Sequence, residues 1–146
     1  LLIHFNARKG VDFLIKVGPF KLNAKPFFVI EAKRLSKKHY DYVRGRTGGI
    51  ERLKREQEGF DHNLVVSGML GYIQENSFAH WHQRVNAWIE ALIAKVEVDD
   101  DIRWEQQDLL KEFSPSTAQL ARYTSIHSRK TQMDIKLHHF WLNMHD

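Results

Sequence analysis

The chain has 146 residues, 42% of them apolar and 27% charged, with three prolines, eight glycines and no cysteine. That is enough for one domain with a hydrophobic core, and the composition excludes disordered, collagen-like and low-complexity chains. The missing cysteine excludes disulfides, thiolate-bound zinc and cysteine nucleophiles together. No apolar run approaches the roughly 20 residues that cross a bilayer, and no basic-then-apolar leader is visible, so no membrane partner and a cytoplasmic location are expected.

The net charge is only +4, but it is unevenly placed. Lys33, Arg34, Lys37, Lys38, Arg44, Arg46, Arg52, Lys54 and Arg55 crowd one stretch, with Lys21 and Lys25 just before it, whereas 97–101 is an acidic run. Local basic density matters more for binding phosphates than the total does. The simpler account is a solvated helix and loop.

In chain order, Ile3-His4-Phe5 suggests a short strand that turns through 6–10. Val11 to Val17 alternates, with Val11, Phe13, Ile15 and Val17 on one side and Asp12, Leu14 and Lys16 on the other, until Gly18-Pro19 ends the pattern. Pro26 to Lys33 is a second strand, and its unbroken apolar run predicts burial on both faces. A helix is expected from about Thr47-Gly48-Gly49 to Glu58, closed by Gly59. Leu64 to Ile73 predicts a buried strand, bulged at a glycine. Phe78, Trp81, Val85, Trp88, Ile89, Leu92, Ile93 and Val96 recur at helical spacing and give one broad apolar face. A short helix over Trp104 to Phe113 and strands over Ala121 to His127 and Asp134 to Leu142 complete a single domain, 1–146, of mixed α/β class.

The chemistry lies on the first two firm strands. Glu31 and Lys33 are two apart, so on a strand they share a face. If the strands form an antiparallel hairpin, Asp12, at the start of the first, lies beside the end of the second. Two carboxylates with the Ala32 carbonyl between them make a hard oxygen site for Mg²⁺ or Mn²⁺. A lysine beside such a metal can orient or help deprotonate a water. The ordinary alternative is a turn aspartate and a solvated Glu-x-Lys, a spacing that arises often by chance.

Val11-Asp12-Phe13-Leu14-Ile15 followed by Phe28-Val29-Ile30-Glu31-Ala32-Lys33-Arg34-Leu35 resembles the signature of the PD-(D/E)XK nuclease superfamily, with valine where the name has proline. The resemblance covers roughly the first half of the chain. It implies a restriction-endonuclease-like core, a mixed central sheet flanked by helices with extra C-terminal elements. It further implies a Mg²⁺-dependent deoxyribonuclease, an endonuclease of bacterial restriction, phage defence or repair. Asp12, Glu31 and Lys33 would be catalytic; Asp12, Glu31 and Ala32 would hold the metal. Arg34, Lys37, Lys38, Arg44, Arg46, Arg52 and Arg55 are the candidates for DNA-backbone contacts. The chain starts at Leu1 rather than at a methionine, leaving open an upstream segment with the family's leading helix, and a homodimer or larger assembly is compatible.

The remaining features have plainer accounts. Arg44-Gly45-Arg46-Thr47-Gly48-Gly49 lacks the Lys-Ser/Thr ending of a nucleotide-binding loop, so ATP is not expected. His80 and His82, like His138 and His139, are spaced so as to face apart, and core or surface filling is the expectation. Trp81 and Trp88 share the helix's apolar face as core, and 99–101 has no calcium-loop spacing. The rival functions are a nuclease-like fold without activity that binds nucleic acid or a partner, and a purely structural α/β interaction domain.

Overall fold

The computed structural model describes residues 2–6, 11–16, 28–35, 40–45, 49–56, 64–95, 102–131 and 133–145, with 2–6 and 11–16 described for the backbone alone. Strands β1 (Leu2–Asn6), β2 (Val11–Lys16), β3 (Phe28–Leu35), β4 (Val66–Ile73), β5 (Lys111–Ser114), β6 (Leu120–His127) and β7 (Ile135–Asn143) form one seven-stranded sheet in the order β1-β2-β3-β4-β7-β6-β5. The β3–β4 and β4–β7 pairs are parallel; β1–β2, β2–β3, β6–β7 and β5–β6 are antiparallel. The chain is therefore a mixed α/β protein with the expected β2–β3 hairpin pairing.

Paired residues in neighbouring strands share a face, so the register defines two sides. On one lie Val29, Glu31, Lys33 and Leu35 of β3, and Ser67, Met69, Gly71 and Ile73 of β4. The same side carries Ile135, Leu137, His139 and Trp141 of β7, with Ala121, Tyr123, Ser125 and His127 of β6. Nearly all are buried. Helix α2 (Phe78–Ala94) packs on this side through Trp81, Val85, Ile89 and Leu92, and its His82 ring stacks on Tyr123 at 4.6 Å. Burying a side chain of this size contributes about 1.5–3 kcal/mol. Ser77 caps α2 by accepting the His80 N–H at 3.1 Å.

The other elements meet the same face. A 3-10 turn at Tyr40–Tyr42 and helix α1 (Ile50–Lys54) lie between β3 and β4 in the chain, and a second 3-10 turn, Gln106–Asp108, precedes β5. Gly49 starts α1 at φ +83°, where a Cβ would come 2.3 Å from the Asp41 carbonyl oxygen, so only glycine lets α1 start so close to that turn.

Several expectations change. The apolar run of β3 does not mean burial on both faces. Val29, Glu31 and Leu35 are buried, while Phe28, Ile30 and Ala32 are only half-buried, because the described helices all sit on one side of the sheet rather than flanking it. β3 runs on to Leu35 by pairing Arg34 and Leu35 with Tyr72 and Ile73 of β4, so Glu31 and Lys33 lie inside the strand, not at its end. β4 is not bulged: Gly68 and Gly71 stay in register on both sides. Gly71 makes room for Trp141, whose Cδ1 a Cβ would meet at 2.5 Å. The helix expected over 104–113 is a 3-10 turn followed by β5, since Leu109 leaves helical geometry at ψ 138°. Helix α1 ends at Lys54, and Glu58, Gly59, Val96 and 99–101 fall outside the described residues.

Candidate active site

The β2–β3 register pairs Phe13 with Ile30, Leu14 with Val29 and Ile15 with Phe28. The paired stretch ends at Phe13 and Ile30, one residue short of Asp12 on β2 and of Glu31 on β3, and the register of β2 against β1 shifts between Leu14 and Val11. On the same side of β3 the Lys33 ammonium stands 2.9 Å from Glu31 Oε1. The Glu31 side chain is 1% exposed and that of Lys33 24%, so the pair links a dry carboxylate to an ammonium that reaches solvent. From the other side, Arg52 of α1 brings its guanidinium to 3.9 Å from Glu31 Oε2. Glu31 is thus held between two cations, one from its own strand and one from the helix packed above.

The other proposed positions scatter. Ala32 is half-buried and pairs with Leu70. Arg34 is exposed, but its place in the strand puts it on the opposite face from Glu31 and Lys33. Arg44 and Arg55 both pair with Glu51, at 3.3 Å and 2.7 Å. Arg52 is buried against the site rather than spread on a basic surface. Lys37, Lys38 and Arg46 lie outside the described residues, as does the side chain of Asp12.

A divalent ion needs more than the described side chains supply. Among the described residues no group of three or more His, Asp or Glu is arranged to hold a metal. Glu31 gives one hard oxygen donor whose charge Lys33 and Arg52 already balance. Binding Mg²⁺ there requires the ammonium to yield and a second carboxylate to enter; Asp12 is the acidic residue next along β2 from the paired stretch.

A second polar cluster, on the same face across β4, has no counterpart in the sequence reading. Lys54 Nζ donates to Asp108 Oδ1 at 2.7 Å, and His127 Nδ1 donates to the same carboxylate. His127 Nε2 meets Ser125 Oγ at 2.6 Å, Ser125 Oγ meets His139 Nε2 at 2.7 Å, and His139 Nδ1 meets the Tyr42 hydroxyl at 2.7 Å. Trp141 Nε1 donates to that hydroxyl at 2.8 Å. The other Asp108 oxygen accepts the Glu105 N–H at 2.6 Å. Lys54, Asp108, His127, His139, Tyr42 and Trp141 are all fully buried.

Burial governs the charges here. It pushes the Tyr42 hydroxyl well above its ordinary value. It pushes His127 down despite the opposing pull of Asp108, and His139 well down, with His127, His138 and His82 adding to the effect. Burial raises Asp108, but His127 and Lys54 together bring it below its ordinary value. Lys54 is lowered by burial, with Asp108 opposing.

His127 is therefore a core residue. The available signal was phase. Ser125 and His127 alternate in step with Ala121 and Tyr123, so polar residues stand on the buried side of β6. His138 and His139 do face apart, as their adjacency predicts, and Trp81 is core. No protein-family model, curated protein or solved structure matches this chain.

Proposed function

We propose that this domain is a metal-dependent nuclease that hydrolyses DNA phosphodiesters on a restriction-endonuclease-like core, in restriction, phage defence or repair. The supporting observation is a buried Glu31 with Lys33 at 2.9 Å on the same face of β3, beside β2, whose last residue paired with β3, Phe13, adjoins Asp12 in the chain. Asp12, Glu31 and the Ala32 carbonyl would hold Mg²⁺ or Mn²⁺, which supplies Lewis-acid polarisation of the phosphate and a more acidic bound water. Lys33, solvent-accessible and already at the carboxylate, is placed to orient the attacking water or carry its proton. Arg52 steadies Glu31 from α1.

The second reading is a nuclease-like fold without activity that binds nucleic acid or a protein partner. What favours it is the charge balance at Glu31: Lys33 and Arg52 offset the buried carboxylate without a metal.

The test is incubation of purified protein with plasmid and linear DNA in Mg²⁺, Mn²⁺ or EDTA, beside Glu31→Ala and Lys33→Ala. Metal-dependent cleavage lost in both variants establishes the enzyme and its centre. Intact DNA binding without cleavage supports the second reading, and neither cleavage nor binding removes the nuclease proposal.

A further inference from the structure

The buried chain across β6 and β7 has one proton arrangement. At one end the Asp108 carboxylate only accepts; at the other the Trp141 indole N–H only donates. Between them stand Tyr42, His139, Ser125 and His127, and with both imidazoles neutral the chain has as many hydrogens as bonds. The Trp141 hydrogen fills the bond to Tyr42, so the Tyr42 hydrogen must point to His139 Nδ1. His139 is then protonated on Nε2 and donates to Ser125, which donates to His127 Nε2. His127 carries its hydrogen on Nδ1, toward Asp108. Each hydrogen has an acceptor, and no other order achieves that.

One more proton has no place. On His127 it makes Nε2 a donor: either Ser125 Oγ accepts from both rings and its own hydrogen is orphaned, or Ser125 turns to His139, which then donates to Tyr42, and the Tyr42 hydrogen is orphaned. On His139 it faces Tyr42 directly, with the same result. Either way a fully buried donor is orphaned, a costly state.

The charges point the same way. His127 is faced by Asp108 and Lys54, by Asp134 ahead of β7 and by His139; His139 is faced by His127, His138, His82 of α2 and Tyr42. Lys54 is faced by Asp108, Glu105 and Asp134, and lies 4.9 Å from the Trp104 ring. A protonated His127 would compete with Lys54 for the single carboxylate that both touch. Lys54 ends α1, and its carbonyl is held by the Lys130 N–H at 3.2 Å.

We propose that this chain is an acid-sensitive latch on α1: it holds only while both imidazoles are neutral, and it releases the helix when either takes up a proton. Arg52, two residues before Lys54, would leave Glu31 with it. The latch does not depend on the nuclease reading.

The test uses the unmodified protein. Imidazole ¹H–¹⁵N spectra at pH 7.5 should show His127 protonated on Nδ1 and His139 on Nε2. Neither ring should titrate near 6.5 while the fold is intact. Hydrogen exchange, corrected for its intrinsic pH dependence, should show protection at Arg55, whose N–H bonds the Glu51 carbonyl at 2.9 Å. That protection should fall about tenfold per pH unit below about pH 6, while amides of the β4–β7 ladder keep theirs. Lys54→Met removes the competing cation; it should raise the His127 titration and flatten the Arg55 response. Either ring in the opposite tautomer, or a ring titrating near 6.5 with Arg55 protection unchanged, overturns the latch. So does a Lys54→Met protein whose His127 titrates as before.

Discussion

Two buried carboxylates on one face of the sheet, Glu31 and Asp108, are each held by cations, yet they serve different ends. Glu31 is gripped by Lys33, whose side chain is 24% exposed, and by Arg52 at 3.9 Å. Asp108 is gripped by Lys54, whose side chain is fully buried, by His127 and by the Glu105 N–H. The first cluster reaches solvent through the Lys33 side chain. The second is closed, with every bond directed. A dry, saturated network specifies a structure, whereas a partly wet ion pair leaves a carboxylate able to change partners.

The sharpest way to break this contrast is to remove each carboxylate in turn. Asp108→Ala strands the Lys54 ammonium and His127 in a dry core and should cost about 3–5 kcal/mol, read from urea unfolding. On the proposed nuclease reading, Glu31→Gln should lower metal-dependent DNA cleavage by at least about 10²-fold, roughly 2.7 kcal/mol in the barrier. Its unfolding free energy should shift by only about 1 kcal/mol, because Lys33 can turn to water. If Glu31→Gln instead unfolds the protein as Asp108→Ala does, the two regions are alike and the inactive-fold reading gains.

Smaller changes refine the comparison. Tyr42→Phe keeps the ring but deprives the Trp141 N–H and His139 Nδ1 of their partner, and should cost about 1–3 kcal/mol in the same unfolding assay. Arg55→Ala removes a part-exposed partner of Glu51 that Arg44 also contacts, and should cost no more than about 0.5 kcal/mol. A larger loss at Arg55 would mean that α1 depends on its surface pairs as much as on the Lys54 latch.

Acid should separate the regions as well. The imidazoles of His127 and His139 are held below their ordinary value of 6.5. The unfolded chain therefore binds protons that the folded chain refuses, so their contribution is full above about pH 6.5 and declines as pH falls below it. Asp108 is held below its ordinary 3.8, so its contribution is full above that value and is lost only at lower pH. A stability profile that begins to fall near pH 6 in the wild type, and falls less steeply in His139→Gln, would place the first step at the imidazoles.

How much of this was legible follows from how each part is built. Alternation in Val11–Val17 and the apolar lead into Glu31 were enough to place β2 and β3, since period is a local property, whereas their antiparallel pairing was a condition that the structure supplies. α2 was equally plain, with Trp81, Val85, Ile89 and Leu92 at helical spacing. Residues 104–113 misled because the capping box at Glu105 and Asp108 starts a helical turn that goes no further, Leu109 being already extended. Arg52 looked like one more surface cation, because nothing local tells that α1 turns it inward to Glu31.

The sequence by itself determined every described strand but β5, together with the main helix, and put Glu31 and Lys33 on one face, because those depend on residues two to four positions apart. Only the tertiary structure decided that Tyr42, Lys54, Asp108, Ser125, His127, His139 and Trp141 form one directed chain, and that the helices gather on one side. Those residues come from five separate elements, and each is an unremarkable polar or aromatic residue in its own segment. Their meaning arises only where the sheet excludes water and leaves each hydrogen a single acceptor.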